Sequence, residues 1–223
     1  EDPYDFVIAA EGFAFGTIFN VTQTTDDGTG LVDNSLSWAI LQANTSPGTD
    51  NIILNTDVTL TGVMKRLVDS NLNIFSDAQR RTIDGNNQFR PLFIKSGQVN
   101  IQNIDLQNGR AEGGDSGDGG KGAGLGGTIF LYDGELSLSD VTISGSTATG
   151  GFIGGGSGGG GMYGIASSGG GGLFANATSG TGGYGGYGNY NSTEPDFARG
   201  GSYDYNHGGN GGFGGGGGYS YND

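Results

Sequence analysis

The sequence predicts an all-β chain, a right-handed parallel β-helix (solenoid) with a short N-terminal capping helix and Gly-rich loops and tail. Three observations carry that expectation. Short runs of β-branched and aliphatic residues follow one another from residue 51 to residue 109, and no helical period returns after residue 50. A three-strand stretch recurs at one gapless offset of 37 residues, so that Gly97, Val99, Ile101, Ile104 and Leu106 match Gly134, Leu136, Leu138, Val141 and Ile143. The 51 glycines of the 223-residue chain fall as 9 before residue 110 and 42 after it, which separates a core-forming part from a different material.

The elements follow in order, and the first unit spans residues 1–50. Phe6-Val7-Ile8 and Thr17-Ile18-Phe19-Asn20-Val21 read as two strands, the second followed by a polar turn at 22–30. Asn34 and Ser35 offer N-cap oxygens just ahead of Leu36, Ala39, Ile40 and Ala43, whose spacing places them on one helical face. A helix over about 34–44 follows, stopped by Ser46-Pro47-Gly48.

Residues 51–150 are expected to form the coils. Strands are read at 52–54, 58–60, 72–75, 82–83, 92–94, 99–101 and 104–106, with turns such as Asp84-Gly85-Asn86-Asn87 and Ser96-Gly97 between them. Ala111-Glu112-Gly113-Gly114 also matches Ala148-Thr149-Gly150-Gly151 at the offset of 37. Without the Gly-rich insert at 113–127 the repeat shrinks to about 20 to 24 residues, the size of a three-strand coil that buries its inward side chains only by stacking. Residues 72–85 read as a less regular coil. A β-sandwich is the rival fold; it accounts for strands and turns but not for one offset spanning three strands.

Composition excludes several classes. With 23 acidic and 9 basic residues the formal charge is −14, and no basic stripe exists to release counterions from a phosphate backbone, so nucleic acid is not an expected partner. No apolar run is long enough for a transmembrane helix. The absence of cysteine removes disulfides, thiolate metal sites and Cys nucleophiles. Gly-X-Y periodicity is lacking, which excludes collagen. The opening Glu1-Asp2-Pro3-Tyr4-Asp5 has neither an initiator Met nor a signal peptide and reads as a processed form. Asn-x-Ser/Thr triplets at Asn20, Asn44, Asn176 and Asn191 are read as markers of exposed loops.

A set of motifs in order resembles bacterial surface β-helix proteins, the group with polymorphic outer-membrane-protein and autotransporter-passenger-like repeats. The stretches are Val21-Thr22-Gln23-Thr24-Thr25-Asp26-Asp27-Gly28, Ser35-Leu36-Ser37-Trp38-Ala39-Ile40, Pro47-Gly48-Thr49-Asp50-Asn51-Ile52-Ile53, Thr82-Ile83-Asp84-Gly85, Gly126-Gly127-Thr128-Ile129-Phe130 and Leu138-Ser139-Asp140-Val141-Thr142-Ile143. The resemblance covers about residues 17–151. It implies that 35–40 form a capping element, with Ser37 standing where Arg is usual, and that the protein is exported to the cell surface or the extracellular space.

Residues 151–223 form a Gly/Tyr-rich segment. Tyr184, Tyr187, Tyr190, Tyr203, Tyr205, Tyr219 and Tyr221 lie on a glycine backbone and are candidate assembly contacts, able to stack on a neighbouring chain or a sugar. Two readings stand open for this segment, a dangling tail and an ordered packing role. A second amphipathic cap is not found after Ile143, so the far end of the coils needs the tail, further sequence or another subunit. Repeated head-to-tail contacts of that last kind build a filament.

No catalytic or cofactor-binding residues are assigned. Asp26-Asp27-Gly28 and Asn55-Thr56-Asp57 resemble fragments of polygalacturonase motifs, but the accompanying histidine and basic motifs are missing, and turn aspartates explain these positions. Arg80, Arg81, Arg90 and Lys95 show no matching acidic cluster, and the one histidine, His207, lies in the glycine field. Asp115 and Asp118 are the candidate Ca²⁺ ligands, against the simpler reading of a solvated acidic loop. The expected function is that of a non-enzymatic, exported structural or adhesive protein that self-associates. The alternative is a polysaccharide-binding or carbohydrate-active β-helix.

Overall fold

The structure is a computed structural model that describes residues 16–154, 156–167, 170–177 and 213–219. Its strands are β1 (Ile18–Val21), β2 (Thr25–Asp26), β3 (Asp50–Leu54), β4 (Val58–Leu60), β5 (Val68–Asp69), β6 (Leu72–Ser76), β7 (Arg81–Asp84), β8 (Leu92–Ser96), β9 (Gln98–Gln107), β10 (Arg110–Glu112), β11 (Ile129–Leu131), β12 (Glu135–Ser144) and β13 (Thr147–Thr149). One helix, α1 (Leu36–Ala43), lies between β2 and β3.

Every strand pair is parallel. An eight-stranded sheet runs β1-β3-β6-β9-β7-β4-β2 and curls into a half-barrel, with β12 added on β9; β11-β8-β5 and β10-β13 form smaller sheets. The curl arises because β9 bends, its first half pairing with β6 and its second with β7. Asn103 sits at the bend with φ 56°, and Asp140 sits at the matching bend of β12 with φ 53°, a left-handed conformation that Asn and Asp tolerate better than bulkier residues.

The sequence repeat is the strand register. Val99 pairs with Leu136, Ile101 with Leu138, Ile104 with Val141 and Leu106 with Ile143, and the same offset of 37 places Leu92 beside Ile129 and Ala111 beside Ala148. Successive passes of the chain therefore stack their aliphatic residues into one core, from Val21 and Ile52 through Ile74 and Ile101.

The helix is shorter than the sequence indicates. Ser35 is its N-cap, in extended conformation, and its hydroxyl accepts the Trp38 N–H; Asn34, with φ 60°, stands outside it. Leu36, Ala39, Ile40 and Ala43 face the core as expected and close the end of the stack at β1. Ser37 serves the buried Asp26, whose Oδ1 accepts the Ser37 hydroxyl at 2.6 Å and whose Oδ2 accepts its N–H at 2.5 Å. Burial raises the Asp26 pKa above the ordinary Asp value, although the Ser37 and Gly28 donors oppose the shift. Asn44 is not a loop marker: its amide donates to the Leu67 carbonyl at 2.7 Å and accepts the Asp69 N–H at 2.9 Å.

The described part of the glycine field is packed. Gly114 N–H donates to Gly161, Gly161 to Gly164, Gly164 to Gly172, Gly171 to Gly159 and Gly216 to Gly171, at 2.7–2.9 Å. A side chain on Gly114, Gly164 or Gly171 would overlap a neighbouring backbone carbonyl, so only glycine permits this spacing. Met162, Leu173 and Phe174, carried by these segments, form a second apolar cluster with Leu67 and Phe93, flanked by Phe130 and Phe213.

Candidate functional site

The feature that stands apart is the end of the stack opposite α1. Among the described residues β11, β12 and β13 each pair on one side only, with β8, β9 and β10. Among the described residues no strand pairs with their other edges, the arrangement that templates a further strand. The side chains agree with the backbone. Val99, Ile101, Ile104 and Leu106 are buried, whereas one pass later Leu138 and Ile143 are 44% and 45% exposed and Leu136 and Val141 are half-buried. Leu131 and Tyr132 extend the apolar surface past β11.

The edge is bridged to its neighbours on the outer face. Arg80 donates through Nε to Asp105 at 2.6 Å, through Nη1 to Asp140 at 2.8 Å and through Nη2 to Thr142 at 2.8 Å, tying β7, β9 and β12 together on the outer face. Hydrogen bonds to Asp105 first and Asp140 second raise the guanidinium pKa further above its already high value. Arg80 thus has acidic partners that sequence reading did not find; the signal lay in the offset of 37, which brings Asp140 close to Asp105 once the strands pair. Alongside runs an amide ladder, Asn100 to Asn73 at 2.9 Å and Asn73 to Asn51 at 3.0 Å, which stops at Ser137 of the open strand.

The other basic residues are also placed. Arg81 pairs with Asp77 at 3.1 Å and Lys95 with Asp69 at 3.0 Å. Arg90 donates to the carbonyls of Gly126 and Leu125 and stacks over Phe93 and Phe130 at 5.7 and 5.8 Å; burial pushes its pKa down to about 10.

The acidic candidates accept from backbone N–H and hydroxyl groups nearby. Asp27 Oδ1 accepts the Thr29 N–H and hydroxyl, and Asp57 Oδ1 accepts the Thr82 N–H at 2.9 Å, as turn and corner aspartates do. Asp115 Oδ1 accepts the Phe152 N–H at 2.6 Å and Asp118 Oδ2 accepts the Ser157 hydroxyl at 3.1 Å, so both brace the glycine segments. Among the described residues no group of three or more His, Cys, Asp or Glu side chains is placed to hold a metal ion. An open groove of about 250 Å³ is lined by Glu112, Gly113, Asp115, Tyr163, Ile165 and Asn176.

Of the assembly tyrosines, Tyr219 is described and exposed. Tyr184, Tyr187, Tyr190, Tyr203, Tyr205 and Tyr221 lie outside the described residues, as does His207. Among the described residues no helix is long and apolar enough to cross a membrane. The chain matches no protein-family model, no curated protein and no solved structure.

Proposed function

We propose that this is a non-enzymatic structural or adhesive protein that associates end to end through the free edge of β12. The observation that carries the reading is the contrast between one pass and the next: the side chains that β9 buries are half exposed on β12. A ten-residue strand edge with an apolar row needs a cover, and a contact between unlike ends of identical chains propagates. In this reading the stacked passes form a right-handed parallel β-helix, the hand that parallel crossovers favour. The protein works outside the cell, at its surface or in a matrix, as the resemblance to surface β-helix repeats implies.

Sedimentation velocity over a range of protein concentrations, with negative-stain microscopy, tests this. The native chain should grow in mass with concentration, and Leu138→Lys, which sets a charge in the exposed row, should stay monomeric. A native chain that remains a monomer throughout refutes the proposal. The groove at Glu112, Asp115 and Tyr163 favours a second reading, polysaccharide binding by aromatic and carboxylate contacts, which a glycan array with Tyr163→Ala as control addresses.

A further inference from the structure

We infer that the strand which covers β12 is residues 8–15 of a second copy of this chain, added in parallel; the inference rests on the end-to-end association proposed above.

β9 and β12 share a pattern in which inward apolar residues are spaced two, three and two apart, with a left-handed residue just before the third. In β9 these are Val99, Ile101, Asn103 (φ 56°), Ile104 and Leu106; in β12 they are Leu136, Leu138, Asp140 (φ 53°), Val141 and Ile143. The same pattern occurs a third time, at Ile8, Ala10, Gly12, Phe13 and Phe15, with glycine at the position that needs a left-handed backbone. Laid on β12, Ile8 falls beside Leu136, Ala10 beside Leu138, Gly12 beside Asp140, Phe13 beside Val141 and Phe15 beside Ile143. Glu11 then faces Ser139, and within the segment no carboxylate faces another, which matters in a chain of charge −14.

The segment cannot serve its own chain in this way. Gly16 lies against the Thr49 carbonyl just before β1, which is the far end of the sheet from β12. The path β1-β3-β6-β9-β12 contains four strand spacings, about 19 Å at ~4.8 Å each, and Phe15 is bonded to Gly16. An extra pass on its own β1 is excluded as well: Ala10 and Phe19 are nine residues apart, whereas Asn51 and Asn73, on neighbouring passes, are 22 apart. The other long segment outside the described residues, 178–212, contains no Val, Ile or Leu and offers no such row.

The absence of cysteine allows a direct test on the full chain. Ala10→Cys combined with Leu138→Cys places two thiols opposite one another, at a strand spacing that a disulfide accepts. Oxidation should give a ladder of covalent multimers on a non-reducing gel, and Ala10→Cys with Ser144→Cys, out of register, should not. Phe13→Asp should raise the concentration of half-assembly by about tenfold to a hundredfold, from the loss of one buried aromatic side chain. A synthetic peptide of residues 4–16 should cap the native chain as monomer. Circular dichroism of Phe13→Asp checks that the body still folds. Assembly that persists unchanged in Phe13→Asp, or equal cross-linking of both cysteine pairs, overturns the donor strand while leaving end-to-end association standing. A native chain that never assembles overturns the association itself.

Discussion

Gly164→Ala distinguishes packed glycine segments from dangling ones by the sign of its effect. Gly164 donates to the Gly172 carbonyl at 2.8 Å and accepts the Gly161 N–H at 2.9 Å. A methyl group there would overlap the Ala175 carbonyl and lie 2.6 Å from the Gly172 nitrogen, both of them backbone atoms that yield only if the segments part. Overpacking of this kind costs about 1–3 kcal/mol, and two weakened hydrogen bonds add about 1 kcal/mol each. The lower entropy of unfolded alanine returns about 0.4–1 kcal/mol. The net expectation is a loss of about 2–5 kcal/mol. Gly120→Ala is the internal control, because the added methyl meets no atom within 4 Å; it should be neutral or stabilising by up to about 1 kcal/mol. Urea unfolding followed by circular dichroism measures both, and amide exchange at Gly161 locates the change. If the two variants fall within about 0.5 kcal/mol of each other, the backbone at Gly164 is not packed against Ala175 and Gly172.

Leu106→Ala, at a fully buried position, should cost about 2–5 kcal/mol, while Ile143→Ala in the same register but 45% exposed should cost roughly 1 kcal/mol in the monomer; equal losses in urea melts would mean that β12 is already covered. Asp26→Asn should alter the pH dependence with a definite sign. Because burial raises the Asp26 pKa in the folded state, its protonation contributes stability that is fully present below the unfolded value of 3.8 and is lost as pH rises through the folded value. The native chain should therefore gain on Asp26→Asn as pH falls from neutral toward 4 in thermal melts, and parallel curves would refute this. Asp77, whose pKa is lowered by its hydrogen bond to Arg81, acts with the opposite sign in both proteins and cancels from the comparison.

Much of the stack was legible because its signals are local or strictly periodic. The i, i+3/i+4 spacing of Leu36, Ala39, Ile40 and Ala43 has one physical outcome, and the offset of 37 became the register of β9 with β12. Other elements were hidden for identifiable reasons. Thr25–Asp26 forms β2 inside what reads as a turn, because two residues carry no period and pairing with β4 decides the matter. Arg110–Glu112 and Thr147–Thr149 lack an aliphatic row and pair through the repeat. The glycine segments leave no side-chain pattern at all, since their order resides in backbone hydrogen bonds between residues far apart in the chain, such as Gly114 with Gly161. The open end was inferable in outline from the missing second cap. The Arg80 bracket behind it was not, because it depends on three strands coming into register.

The two ends of the stack differ in what they ask of a neighbour. At β1 the helix α1 covers the core with its own apolar face, although β1 itself pairs only with β3 among the described residues. At β12 the last pass has, among the described residues, a neighbouring strand on one side only, and in a nearest-neighbour array such a unit has the least interface energy and opens first. A strand that binds the folded edge and not the unfolded chain stabilises that weakest pass by mass action, so assembly and stability of the β12 end are linked quantities. The charge of −14 works against bringing copies together, over a screening distance of about 8 Å at physiological salt and about 30 Å at 0.01 M. Assembly driven by an apolar row against that repulsion must strengthen with added salt, whereas assembly driven by the ion pairs of the chain's few basic residues would weaken. The sign of the salt dependence thus separates strand addition at β12 from an electrostatic contact before any residue is changed.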